Sequence, residues 1–224
     1  MDSGKLKMID YAVFPGVNPE SPLFVLNCFG NEGSDLVESV KSKTAADFTL
    51  VTINVPEWNR YMTPWPAAAP FGNEEPYEGL ADDFLKRIVS GIIPEIIEKY
   101  HLEPKSRIIA GYSLAGLFSI YSLYRTDFFD YAISCSGSFW YPDFLDFVKK
   151  NEILRKPSKI YLSLGNQESR TKNRIMRTVE DNTRYIQQIF LENGVKTVFE
   201  LNPGGHFTDS NERLAKAITW ILSE

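Results

Sequence analysis

Residues 107–120 read RIIAGYSLAGLFSI, and how this stretch is parsed decides the fold. RIIAG is the kind of short apolar run that forms a buried strand, whereas Leu117, Phe118, Ile120, Tyr121 and Tyr124 mark the apolar face of a helix that follows. Ser113 sits where strand gives way to helix. The spacing Gly111-x-Ser113-x-Ala115 is one residue away from G-x-S-x-G, the sharp turn that presents a nucleophilic serine above a sheet. Ala115 stands at the last glycine, and Gly116 comes one position later. The turn demands small side chains two residues to either side of the serine, because these positions crowd the turn and its neighbours. Ala115 adds a single methyl, a mild departure. The competing reading is that Ser113 only caps a helix beginning near Leu114, a position serine favours.

Working outward, strand-length apolar runs alternate with helical patterns. Residues 23–29 (LFVLNCF) form a nearly continuous apolar run ending in Gly30, and Leu36, Val37 and Val40 suggest a short helix after it. Residues 48–55 (FTLVTINV) are the next strand. Residues 56–79 hold five prolines and read as one irregular excursion, long enough to carry or cover a site. Residues 80–100 read as a helix that Gly91 and Pro94 should bend or divide. After the opening stretch come strands at 131–136 and 159–164, a helix at 180–193, a strand at 196–201 and a helix at 212–222. Alternation of this kind predicts a mostly parallel central sheet covered by helices on both faces, an α/β three-layer sandwich. It is expected to form one domain over residues 1–224.

A serine nucleophile needs a base that can take its proton near neutral pH, which in practice means histidine, and an acid to orient that base. The chain has two histidines. His101 lies between a helix and the strand entering the serine turn, so it belongs at the opposite end of the sheet. His206, in ELNPGGHFTD, follows the last strand and precedes the last helix, on the same sheet edge as Ser113. Enzymes with this serine turn run in the order serine, acid, histidine, with the acid on the turn before the histidine strand. That turn reads LSLGNQESR, and Glu168 is its one carboxylate. Asp209 is a reserve, poorly placed by its nearness in the chain to His206, and Asp143 a third. Backbone donors for a developing oxyanion are expected from Leu114 and from the turn after residues 23–29 (NCFGNEG), at Phe29 or Cys28. Cys28 itself has no histidine near it in this topology and is not a candidate nucleophile.

The segments GYSLAGLFSIYSLYRTDFFDYAISCSGSFWY (111–141), LSLGNQESRTKN (162–173) and ELNPGGHF (200–207), in this order and spacing, resemble one family over most of the chain. It is the "Putative esterase" family of α/β-hydrolases, which includes enterobactin (enterochelin) esterases and esterase D-like enzymes. The resemblance implies an α/β-hydrolase fold, with Ser113 as nucleophile, His206 as base and Glu168 on the family's acid-bearing turn. SGSFWY (136–141) is similar to the SGSFWW stretch of siderophore esterases, and Phe139 and Trp140 are expected either to line the substrate pocket or to pack beneath the helices. Trp65 and Phe71, in the proline-rich excursion, are candidate lid residues for the same site. Arg60, Arg170, Lys172 and Arg174 are candidates to meet an anionic substrate.

Composition bounds the remaining possibilities. Hydrophobic residues at 43% and charged residues at 24% are ordinary for a well-cored protein. A net charge of −5 with no basic run argues against binding nucleic acid or an anionic membrane surface. No apolar run approaches the roughly 18 residues of a membrane span, and no secretory leader pattern opens the sequence, so a cytoplasmic location is expected. Cys28 and Cys135 are expected as small buried residues, and neither a metal nor an organic cofactor is implied. The expected partner is a small-molecule ester, cleaved through an acyl-enzyme, and a homodimer is compatible with the sequence. Acyl transfer by the same residues and a non-catalytic binding module on the same scaffold are the alternatives.

Overall fold

The computed structural model describes residues 1–30, 33–70 and 75–223. In chain order they form β1 (Asp2–Leu6), β2 (Ile9–Phe14), β3 (Leu23–Cys28), α1 (Gly33–Lys41), β4 (Thr49–Asn54), α2 (Trp58–Tyr61) and α3 (Ala81–Arg87). These are followed by α4 (Ile93–Lys99), β5 (Arg107–Tyr112), α5 (Leu114–Ser122), β6 (Tyr131–Cys135), α6 (Phe144–Lys150), β7 (Lys159–Gly165), α7 (Val179–Glu192), β8 (Lys196–Asn202) and α8 (Ser210–Leu222). The strands make one eight-stranded sheet in the order β1-β2-β4-β3-β5-β6-β7-β8. From β4 through β8 all neighbours are parallel, while β1 and β2 pair antiparallel at one edge. Alternate residues of the central strands feed two apolar layers. Val25, Ile53 and Ile109 pack against α3 to α7, and Phe24, Leu26, Ile108 and Ile133 pack against α1 and α8.

The β1–β2 hairpin is absent from the sequence reading. Its signal is the alternation of buried Ile9, Tyr11 and Val13 with more exposed Asp10, Ala12 and Phe14, a period of two that fits a half-covered edge strand. The helix expected at residues 80–100 is divided: a single π-helical turn at Ile88–Ile92, containing Gly91, joins α3 to α4, and Pro94, which has no N–H to give the helix, follows just after that turn. The proline-rich excursion is tied down. Ala67 bridges Tyr77, the Trp65 indole N–H donates to the Pro142 carbonyl at 3.0 Å, and Tyr141 donates its hydroxyl to the Trp65 carbonyl. Helix α6, also unforeseen, buries Phe144 and Val148.

The register fixes where the strands end. Asn27, Gly111 and Ser134 are level across β3, β5 and β6, so the chain leaves all three at one edge. Ser113 follows β5 with φ +61° and ψ −123°, a backbone strained for any residue with a side chain. The Ser113 N–H donates to the Cys135 carbonyl at 3.0 Å, which holds the turn against β6. A Cβ on Gly111 would overlap the carbonyl group of Ala115 and come within 2.6 Å of the Ala115 Cβ. One glycine at 111 thus makes room for the alanine methyl. Gly116 has a separate task, since a Cβ there would come within 2.8 Å of Ser134 Oγ and 3.0 Å of Gly137 Cα, where α5 lies directly on β6 and its loop.

Because the steric demand falls on residue 111, Gly111→Ala is expected to cost about 3 kcal/mol or more, lowering Tm by roughly 6–12 °C in a chain of this size. Ala115→Gly should cost only about 1 kcal/mol through helix propensity. Thermal melts by circular dichroism compare the two, and equal losses would contradict this packing.

Candidate active site

Strand β7 and strand β8 end side by side, and the loops that follow them are laced together. Asn166 N–H donates to the Asn202 carbonyl at 2.8 Å, and Gln167 N–H to that of Gly204 at 3.1 Å. Gly204 takes φ +92°, and a Cβ on Gly165 would overlap its carbonyl oxygen, so both positions require glycine. This close approach puts Glu168 and His206 face to face. His206 Nδ1 lies 2.7 Å from Glu168 Oε2, and His206 Nε2 lies 3.0 Å from Ser113 Oγ. With the Nδ1 proton donated to the carboxylate, Nε2 is free to accept the serine proton.

Only 4% of the Glu168 side chain is exposed. Its second oxygen, Oε1, accepts hydrogen bonds from Ser136 Oγ at 2.8 Å, Gly165 N–H at 2.6 Å and Arg213 Nη1 at 2.9 Å. Burial pushes the Glu168 carboxyl up, but the bonds to His206, Gly165 and Ser136 outweigh it and hold the group below its ordinary value of 4.5. The Tyr112 hydroxyl donates to the His206 carbonyl at 2.6 Å, and its oxygen lies 2.9 Å from Ser136 Oγ. Burial, against the Ser136 bond and the Arg213 charge, pushes the Tyr112 phenol up to about 12, so it remains a neutral donor.

His206 is therefore within hydrogen-bonding reach of both other sequence candidates, Ser113 and Glu168. Asp209 and Asp143 are exposed, both in left-handed backbone at helix starts, and the His206 Nδ1 partner is Glu168 rather than either. His101 is exposed beyond α4. A cleft of about 300 Å³ opens over Ser113 and His206, lined in part by Phe29, Trp58, Tyr112 and Phe207. Phe29, directly after β3, and Leu114, the first residue of α5, flank Ser113, and the Leu114 N–H lies in the helix turn that has no internal acceptors. A larger concavity of about 640 Å³ beside β1 and β2 contains neither the serine nor the histidine.

The three candidate pocket aromatics pack among other rings. Phe139, Trp140 and Trp65 are not among the cleft residues. Phe139 stacks on Phe144 with rings 5.6 Å apart and nearly parallel, Trp140 packs against Tyr77 and Tyr141, and Trp65 against Tyr141 and Phe147. The tight turn at 137–141, closed by Phe139 N–H to Gly137 O and Tyr141 N–H to Ser138 O, sends the Phe139 ring onto Phe144 of α6, where it is buried. Phe71 lies outside the described residues. Arg60 pairs with Glu57 and Glu78, while Arg170, Lys172 and Arg174 are exposed away from the cleft. Trp58, Tyr112, Phe207, Ser136 and Arg213 are absent from the sequence reading. Arg213 had a signal: it lies on the stripe of α8 that buries Leu214, Ala217, Ile218 and Ile221. Among the described residues, no three His, Cys, Asp or Glu side chains are grouped to hold a metal ion, and no helix is long and apolar enough to cross a membrane.

A family model described as "Putative esterase" matches residues 27–217. The "Uncharacterized protein YbbA" of Bacillus subtilis is 31% identical over 150 residues, covering 65% of this chain and 60% of that protein. The ferri-bacillibactin esterase BesA of the same organism is 28% identical over 203 residues, covering 85% of this chain and 65% of BesA. The chain thus spans less than two thirds of the length of either relative. An IroE-like serine hydrolase from Shewanella oneidensis superposes with a TM-score of 0.75 at 17% identity, over 96% of this chain and 75% of that one, which shows that the two share the α/β-hydrolase fold.

Glu168→Ala would leave the buried Arg213 without its anion, at a cost of about 3–5 kcal/mol and a Tm loss of roughly 6–20 °C. The depressed carboxyl contributes stability that is fully present above its ordinary value of 4.5 and lost as pH falls through its lower folded value. Calorimetry from pH 7 downward should therefore find the gap between wild type and variant closing only below that point.

Proposed function

Since this chain belongs to the "Putative esterase" family, we propose that it is a carboxylic ester hydrolase, acting as one domain, in which Ser113 is the nucleophile, His206 the general base and Glu168 the acid that orients it. The observation that carries this reading is the continuous Glu168–His206–Ser113 relay, with links of 2.7 and 3.0 Å. Ser113 Oγ attacks the ester carbonyl as its proton passes to His206 Nε2, and the ionised Glu168 balances the imidazolium that forms. Charge developing on the carbonyl oxygen falls to the backbone N–H of Leu114, at the positive end of α5, and to that of Phe29 across the cleft. His206 then protonates the departing alkoxide, leaving an acyl group on Ser113. A water molecule deprotonated by the same imidazole releases the acid and restores the serine.

The cleft also supports a substrate class. Phe29 is 71% exposed and Phe207 93% exposed, an unfavourable display for two rings unless they meet an apolar ligand. Phe29 stands edge-on to Trp58 at 5.9 Å, and Phe207 edge-on to His206 at 5.0 Å. Among the described residues, neither lysine nor arginine lines the cleft. We read the preferred substrate as an ester with an uncharged aromatic group next to the scissile bond. The siderophore ester in the name of BesA belongs in the test as a bulkier, more polar comparison.

A fluorophosphonate probe should label Ser113 in the folded protein, with His206→Ala slowing both labelling and ester hydrolysis by roughly 10⁴-fold or more. Mass spectrometry of the labelled peptide checks this, and absence of adduct on Ser113 would sink the catalytic reading. Against a panel of p-nitrophenyl esters and a triscatechol lactone, kcat/KM should favour benzoyl over acetyl. Phe207→Ala should reduce that preference by about tenfold, the worth of one aromatic contact.

A further inference from the structure

Arg213 has about 1% of its surface exposed, and its guanidinium touches the segments at the ends of β5, β6, β7 and β8. Nη1 donates toward Glu168 Oε1 at 2.9 Å, Ser136 Oγ at 2.8 Å and the Tyr112 hydroxyl at 3.1 Å. Nη2 donates to the carbonyls of Gly205 at 2.8 Å and Pro203 at 3.2 Å, in the loop that carries His206. One side chain from α8 thus grips the ends of β5 and β6, the acid after β7 and the histidine loop after β8.

Stability does not explain a charge in that place. Desolvating a guanidinium is costly, and a buried ion pair is often matched or bettered by an apolar side chain of similar size. Geometry gives a better reason. A planar fork can hold a carboxylate with one nitrogen and backbone carbonyls with the other, which an ammonium cannot do. Together with the Tyr112–His206 carbonyl bond, it fixes the His206 backbone on both sides.

We propose that Arg213 is the positioning residue of this site: it locks Glu168 to the His206 loop so that the imidazole stays aimed at Ser113. The proposal rests on the hydrolase reading above. The other titratable groups that feel the guanidinium charge are Tyr112 from β5, Cys135 from β6 and Tyr161 from β7, and Glu200 from β8 lies beyond Tyr161, whose hydroxyl it accepts from. Burial pushes the Tyr112 and Cys135 groups up to about 12 and raises Tyr161 as well, so all three remain neutral. Glu200 is held ionised by Tyr161 and Lys216, and its negative charge is already paired.

The test is steady-state hydrolysis of p-nitrophenyl acetate by wild type, Arg213→Gln, Arg213→Met and Arg213→Lys, with kcat, KM and Tm measured for each. An inactive wild type refutes the hydrolase reading, whereas an active one isolates the role of Arg213. Gln and Met are expected to lower kcat by about 10²-fold with KM little changed, as for a misaimed base. Lys, which keeps the charge and loses the fork, should still lower kcat about tenfold, the range typical of partners that orient a reacting group. A folded Gln or Met variant with wild-type kcat would overturn the proposal, as would a Lys variant with wild-type kcat. If none of the three variants folds, the proposal is overturned as well, because the charge then serves stability.

Discussion

A carboxylate almost wholly withdrawn from water must be surrounded by donors, and Glu168 imposes that requirement on this structure. Its two oxygens accept from an imidazole, a hydroxyl, a backbone amide and a guanidinium, which come from four different stretches of chain. None of these partners could move far without leaving charge buried and unpaired. The glycines at 165 and 204 let the two last loops come close enough for the shell to close. The sheet supplies the edge, and this one anion makes the loops at that edge converge.

The serine turn is a second, purely steric constraint. Ser113 is held in a backbone that its own side chain disfavours, and the neighbouring carbonyl of Cys135 keeps it there. The departure at Ala115 from the usual glycine is absorbed because the crowding falls on Gly111 and on the Gly116–Gly137 contact. A motif read as letters shows a mismatch at position 115. Read as volumes it shows none.

Much of the architecture is legible in the sequence because strands covered on both faces must be apolar throughout. Residues 23–29, 48–55, 107–111, 131–136 and 159–164 announce themselves in this way, and each strand is found within a residue or two of its expected limits. The placement of Ser113, Glu168 and His206 at one edge is legible too, since parallel strands all point their ends the same way. What escapes is what depends on how loops cross. Aromatic rings suit both a cleft wall and a core, so SGSFWY does not reveal that its turn sends Phe139 and Trp140 inward, nor does Phe207 reveal that it stands in solvent beside His206. Helix α8 offered a warning in Arg213, a charge on an otherwise apolar stripe. The β1–β2 hairpin is missed for a simpler reason: with one face open, its pattern is short and half polar.

Arg213 belongs to α8, which follows every other element in chain order. Synthesis delivers Ser113, Glu168 and His206 before the guanidinium that joins their loops. A nascent chain that has laid down all eight strands still lacks the cation its buried carboxylate requires, so Glu168 has reason to stay hydrated until α8 docks. Assembly of the working edge thereby waits on the docking of α8, the helix that also covers Phe24, Leu26, Ile108 and Ile133 on one face of the sheet.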